Sequence, residues 1–276
     1  MLIPVKRLQW VVQVDVPEGM KGADHTPPSL SAQPNLNICV STCDRENSYI
    51  HAMLGTMLAD GLPHEARINL MVSGSCGNYL DSYRHLRRFS INAWDDESWL
   101  SVSKLPKKFR ASYNYIKCLS FHGKPNCLAF EDDLVFQNNW WRKFLRCVGD
   151  IERDGHDRYV LSLFTPWRLK SEKNYAKVAR VNWAGTQAMY YPESVLRPMR
   201  DYLQSLTNQV CGQREPSDPP YLHAYDMVIK EWCILEEVPI FTCTESLVQH
   251  VGKVTAGGTG ENIMRSDSFY RSDHGD

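Results

Sequence analysis

The sequence predicts an α/β protein: a Rossmann-like mixed, mostly parallel central sheet flanked by helices, in a single domain. Three observations predict it. Short apolar runs that suit buried strands alternate with segments whose apolar residues recur at helical spacing. Gly and Pro punctuate the joints between them. The alternation, at these lengths, is the pattern of parallel strands connected by crossover helices. With 276 residues, 43% of them hydrophobic, the chain can bury a sizeable core and still dissolve.

The elements follow in order. Residues 5–16 are β-rich, and residues 17–35 collect Gly, Pro and Ser, so 1–35 reads as an N-terminal extension and linker. The core begins at Leu36 with LNICVST, a buried-strand run. Residues 47–62 predict a helix, with Ile50, Met53, Leu54, Met57 and Leu58 on one face and Gly61 and Pro63 as stops. ARINLMVSGS is the second strand, residues 81–89 a helix, FSINAW a short strand, and residues 109–121 a helix carrying Tyr113, Ile116 and Leu119. The strand at 126–130 then delivers Glu131, Asp132 and Asp133 at its end. RYVLSLFTP and WAGTQAMYYP read as strands, 193–204 as a helix, 209–220 as a loop and 225–236 as a helix. PIFTCTESLVQHV reads as one last strand, and 255–276 as a flexible, Gly-rich tail or lid.

Composition excludes several classes. Lys plus Arg is 31 against 32 for Asp plus Glu, which rules out a strongly basic nucleic-acid coat. No apolar run reaches the roughly 20 residues of a membrane span, and the first residues lack a signal-peptide pattern, so a cytoplasmic protein is expected. The nine cysteines form no C-x-x-C pair and read as small core residues in a reducing compartment rather than as a zinc site.

The acidic triplet in CLAFEDDLVF carries the chemistry. In sheets of this kind ligands bind beyond the carboxyl ends of the strands. Three adjacent carboxylates there repel one another unless a cation or hydrogen-bond donors offset them; a hard divalent ion, Mn²⁺ or Mg²⁺, answers that need, with phosphate oxygens completing its shell. The plain alternative is a solvated acidic turn. His250, in SLVQHVGKV, offers an imidazole for the metal or a diphosphate, although a lone His is more often structural. Asp226, in HAYDMVIKEW, sits near a helix start, where it serves either as a first-turn acid or as a general base. Thr42 and Arg45 follow the first core strand, and Arg45 suits a phosphate or base contact.

Taken in chain order, STCDR, SYNYIKCL, LAFEDDLVF, WAGTQAMYYP, AYDMVIKEW and SLVQHVGKV resemble the nucleotide-sugar glycosyltransferases of the GT-A type. Branching N-acetylglucosaminyltransferases and small phage and bacterial glycosyltransferases are the similar groups, and the likeness covers 36–254. That resemblance implies a GT-A catalytic domain over 36–254, which uses a nucleotide-sugar donor, a UDP-sugar being expected. It implies Glu131, Asp133 and His250 on the metal and diphosphate, and Thr42, Arg45 and Asp132 on the nucleotide side. Gly185, Thr186 and Gln187 would wall the sugar pocket, and Asp226 would act as the base beneath the acceptor hydroxyl, with inversion. The motif here is E-D-D where the family's is D-x-D, which leaves the division of work between Glu131 and Asp133 open.

Two acceptors are consistent with the chain: a saccharide or glycoconjugate, or a hydroxymethylated base in DNA of the kind a phage enzyme modifies in its host's cytoplasm. The second would use Arg84, Arg87, Arg88, Lys104, Lys107, Lys108 and Arg110, with Trp94, Trp99, Trp140, Trp141, Trp167 and Trp183 as stacking surfaces; the bland reading is solvated helix faces. The rival functions are a metal-dependent nucleotidyltransferase or phosphohydrolase, and a sugar-binding module without catalysis.

Overall fold

The structure, a computed structural model, describes residues 36–43, 49–59, 62–73, 80–93, 107–120, 124–167, 169, 171–180, 183, 185–211, 225–252 and 266–269. Its strands are β1 (Leu36–Cys43), β2 (Ile68–Ser73), β3 (Phe89–Ala93), β4 (Asn126–Glu131), β5 (Leu134–Phe136), β6 (Val160–Ser162), β7 (Tyr175–Val178), β8 (Ala188–Tyr191), β9 (Ile240–Cys243) and β10 (Val248–His250). Its helices are α1 (Ile50–Ala59), α2 (Asp81–Arg84), α3 (Lys107–Ser120), α4 (Trp140–Arg153), α5 (Glu193–Cys211) and α6 (Tyr225–Leu235).

Eight strands form one mixed sheet in the order β3-β2-β1-β4-β8-β6-β9-β7, and β10 and β5 form a second, two-stranded one. β3, β2, β1 and β4 run parallel, as do β6 and β9; β8 lies antiparallel between β4 and β6, and β7 is antiparallel on the far edge. This is the mostly parallel, helix-flanked sheet that the sequence predicts. Alternate residues of each strand face opposite ways, and the packing shows it. Leu128 and Phe130 of β4 join a core with Ile50, Met53 and Met57 of α1 and Trp140, Phe144 and Ile151 of α4. Cys127 and Ala129 join a separate core with Tyr115 and Ile116 of α3, Val195 and Met199 of α5, and Val228 and Trp232 of α6. Helices therefore cover both faces of β4, and its near-continuous apolar sequence is the signature of such a strand.

Several expectations are corrected. The helix at 81–89 is only one turn, after which the chain turns through 85–88 and enters β3 at Phe89. α5 continues to Cys211, past the start expected for a loop. PIFTCTESLVQHV is two strands in two sheets rather than one, because the chain pairs with β6 and β7 as β9, turns at 244–247, and pairs with β5 as β10. α4 carries no expectation from sequence, yet Trp140, Phe144, Cys147 and Ile151 recur at helical spacing and are all buried. Of the tryptophans offered as stacking surfaces, Trp140, Trp141 and Trp183 are core residues, and Trp94 and Trp99 lie outside the described residues. The described cysteines are free thiols, and all but Cys43 are buried, in keeping with their reading as core residues.

Trp140 anchors the half of the molecule that carries the acidic turn. Its ring meets Phe136 at 4.6 Å and Phe130 at 6.0 Å between centroids, and its Nε1–H donates to the Met57 carbonyl at 3.0 Å. Truncation to Ala would empty this volume and leave that carbonyl buried without its donor. Trp140→Ala is expected to lower unfolding free energy by about 3–5 kcal/mol, read by urea denaturation; a loss under about 1 kcal/mol would contradict the anchoring role.

Candidate metal centre

β4 ends at Glu131, and the chain turns through Asp132 and Asp133 into β5. Both aspartates are only 4% exposed. Three neighbouring segments hold this turn. In β1, Ser41 pairs with Glu131, which places the next residue, Thr42, alongside Asp132; its hydroxyl donates to Asp132 Oδ2 at 2.7 Å. β10 pairs antiparallel with β5 so that His250 lies opposite Leu134, and the Val251 N–H donates to the Asp133 carbonyl at 2.9 Å. His250 Nε2 thereby comes to 3.2 Å from Asp133 Oδ2. On the other flank, the Glu131 N–H donates to the Gln187 carbonyl at 2.9 Å, extending the β4–β8 pairing and bringing up Gly185, Thr186 and Gln187.

One ligand atom each from Glu131, Asp133 and His250 lie within 4.8 Å of one another. Two carboxylates and an imidazole so arranged fit a divalent cation, and the mixture of hard oxygens with one nitrogen suits Mn²⁺ at least as well as Mg²⁺. Glycine makes room for this arrangement at two points. A Cβ at Gly252 would run into the Asp133 carboxylate, and Gly185, at φ +101°, would carry a Cβ into the Gln187 side chain.

Burial pushes the Glu131 carboxyl up to about 7, and the neighbouring Asp133 charge adds to the shift; the hydrogen bond from Tyr225 and the proximity of His250 pull the other way. Glu131 Oε1 accepts the Tyr225 hydroxyl at 2.5 Å, and the Thr186 hydroxyl lies 3.5 Å from the same oxygen. Asp226 is next in the chain, in the first turn of α6, half-buried, with Oδ1 accepting the Met227 N–H at 2.9 Å. Its charge is felt at Glu131.

The structure thus gathers Thr42, Glu131, Asp132, Asp133, Thr186, Gln187 and His250 at one corner, with Gly185 leading in and Asp226 beside it through Tyr225. Arg45 lies outside the described residues. Three contributors escaped the sequence reading. Asn114 of α3, 1% exposed, directs its side-chain amide toward Ser41 Oγ at 2.7 Å and the Met71 carbonyl at 2.9 Å, tying the carboxyl ends of β1 and β2 together. A lone amide between apolar helix residues was the signal for it. Tyr225 had only its position beside Asp226. Gln249 donates from Nε2 to the His250 carbonyl at 3.0 Å and accepts the Ser266 N–H at 2.9 Å. Ser268 Oγ likewise accepts the Ser246 N–H at 2.9 Å, so residues 266–269 pack along the strand that carries His250.

No protein-family model matches the sequence, and neither does any curated protein. Among solved structures the chain is similar to residues 1–349 of S. aureus TarS, at 14% identity and TM-score 0.48, covering 77% of this chain and 59% of that one. The same protein in complex with UDP-GlcNAc matches at 13% identity and TM-score 0.47, over 77% and 57% of the two chains. Its complex with UDP matches at 14% and 0.47, over 77% and 59%. The chain spans less than two thirds of each of these.

Two outcomes are expected from this geometry. A carboxyl raised in the fold is protonated there before it is in the unfolded chain, so the metal-free protein loses stability as pH rises from the ordinary carboxylate range to about 7. A cation held by Glu131 would relieve that cost and compete with the proton. The Mn²⁺-induced rise in melting temperature should therefore be larger near about pH 8 than near about pH 6; equal rises would remove Glu131 from the ligand set. Gly252→Ala should push the Asp133 carboxylate aside and weaken Mn²⁺ binding by about tenfold or more by titration calorimetry, and unchanged affinity would show that Asp133 holds no metal.

Proposed function

We propose that the chain is a metal-dependent glycosyltransferase that moves a sugar from a nucleotide-sugar, a UDP-sugar being expected, to an acceptor hydroxyl with inversion. The observation that supports it most is the meeting of Glu131, Asp133 and His250 at a strand end, because His250 comes from a different part of the chain and has no reason to join a merely wetted acidic turn. These residues would hold Mn²⁺ or Mg²⁺, which when bound offsets the charge that develops on a departing diphosphate. Asp132, fixed by Thr42, is assigned to the nucleotide side with Arg45, and Gly185 to Gln187 to the sugar. The Gln187 Oε1 is buried without a donor among the described residues, which suits a group that a sugar hydroxyl would complete. In a direct displacement the acceptor oxygen forms its bond to the anomeric carbon as the bond to the diphosphate oxygen breaks, and Asp226 takes the acceptor's proton.

The rival of two-metal phosphoryl chemistry asks for a second set of ligands, and among the described residues Glu131, Asp133 and His250 are the only such group. The acceptor reading that fits better is a saccharide. Two of the arginines offered for a DNA backbone are occupied: Arg84 pairs with Asp81 at 2.9 Å, and Arg88 donates to the Pro63, Leu62 and Ala66 carbonyls. Lys104 lies outside the described residues.

A panel of nucleotide-sugars with Mn²⁺, scored for slow hydrolysis in the absence of acceptor, identifies the donor. Asp133→Ala should abolish turnover and Mn²⁺ dependence together. Asp226→Asn should cut kcat by about 10²–10⁴-fold while donor binding persists. Donor that is bound but never consumed by the unaltered protein would instead establish a binding module.

A further inference from the structure

The proposed site contains a side chain to which neither motif nor resemblance assigns a role. Tyr225 opens α6, immediately before Asp226, and its hydroxyl donates to Glu131 Oε1 at 2.5 Å. Its ring stacks on Tyr115 at 4.5 Å between centroids with 24° between planes, and the Tyr115 hydroxyl is held in turn against the Tyr191 hydroxyl at 2.8 Å. Tyr115 and Tyr191 are fully buried, on α3 and β8. The Tyr225 hydroxyl is therefore aimed by packed aromatic rings on two elements, not by a mobile surface chain. A short hydrogen bond from a fixed donor to a carboxylate is strong and directional, and here it holds in place a carboxylate that has an oxygen within 4.8 Å of ligand atoms of Asp133 and His250.

We infer that Tyr225 is a positioning residue: it presents Glu131 to the divalent cation and fastens the first turn of α6, with Asp226, to the metal centre. The inference rests on the proposed metal-dependent transfer. Its consequence is that the two halves of the reaction, donor diphosphate at the metal and acceptor at Asp226, share one mechanical joint. Cation binding, by locking Glu131, also locks the start of α6, and loss of the hydroxyl uncouples the two.

Tyr225→Phe retains the ring and its stacking on Tyr115 and removes only the hydroxyl, so the fold should persist; an unchanged far-UV spectrum and a melting temperature near that of the parent establish this. Mn²⁺ affinity is read by titration calorimetry with the metal alone, and protection of the α6 amides by hydrogen exchange with and without Mn²⁺. The parent should bind Mn²⁺ and gain protection across the start of α6. The variant should bind about 10–100-fold more weakly and show no gain at α6 even when saturated with Mn²⁺. A variant that binds Mn²⁺ within about twofold of the parent overturns the inference and leaves the metal reading intact. So does saturation of the variant with full protection at α6. A parent that binds no Mn²⁺ overturns both.

Discussion

Like charges held close in a medium poorer than water repel strongly, and the corner after Phe130 holds three carboxyl groups in three consecutive residues, two of them nearly inaccessible to solvent. Several neighbours of the turn answer that repulsion. Thr42 donates to Asp132, Tyr225 and Thr186 attend Glu131, and His250 faces Asp133. Burial first, and the Asp133 charge second, leave the Glu131 carboxyl raised to about 7. A chain that needed only a turn would have placed Asn, Gly or Ser there at no electrostatic cost.

The scaffold explains how the corner is kept in place. β4 is central, enclosed on both faces by helices, with β1 parallel on one side and β8 antiparallel on the other. A strand so enclosed has little freedom to shift, and a slip of one residue would turn Leu128 and Phe130 out of one core and Cys127 and Ala129 out of the other. The register of β4 therefore fixes where the carboxylates emerge.

Local chemistry was readable and long-range pairing was not. β1, β2 and β4 announce themselves as apolar runs, α1 through the spacing of Ile50, Met53, Leu54 and Met57, and Glu131 to Asp133 as charge where a strand should end. His250 was also visible as a candidate. What brings it to Asp133 was not, because that depends on β10 abandoning the main sheet for β5, a choice made by a partner strand far away in the sequence. The segment 240–250 has apolar residues on either side of its middle and reads as one strand; only the polar turn at 244–247, where Ser246 bonds Val248 and Ser268, betrays the break. α4 was missed for another reason: Arg142, Lys143 and Arg146 lie between its apolar residues, although Trp140, Phe144, Cys147 and Ile151 keep the helical period. Tyr225 and Asn114 matter through distances that no spacing along the chain expresses.

The pairing of β5 with β10 has an implication for biosynthesis. Leu134 and His250 are joined late, because contacts between remote parts of a chain form only after the intervening loop has been closed at an entropic cost. On the ribosome the acidic turn emerges long before its imidazole partner does. The growing polypeptide must therefore carry that cluster of negative charge, without its imidazole partner, until everything between Asp133 and His250 has been made and the segment around His250 has docked.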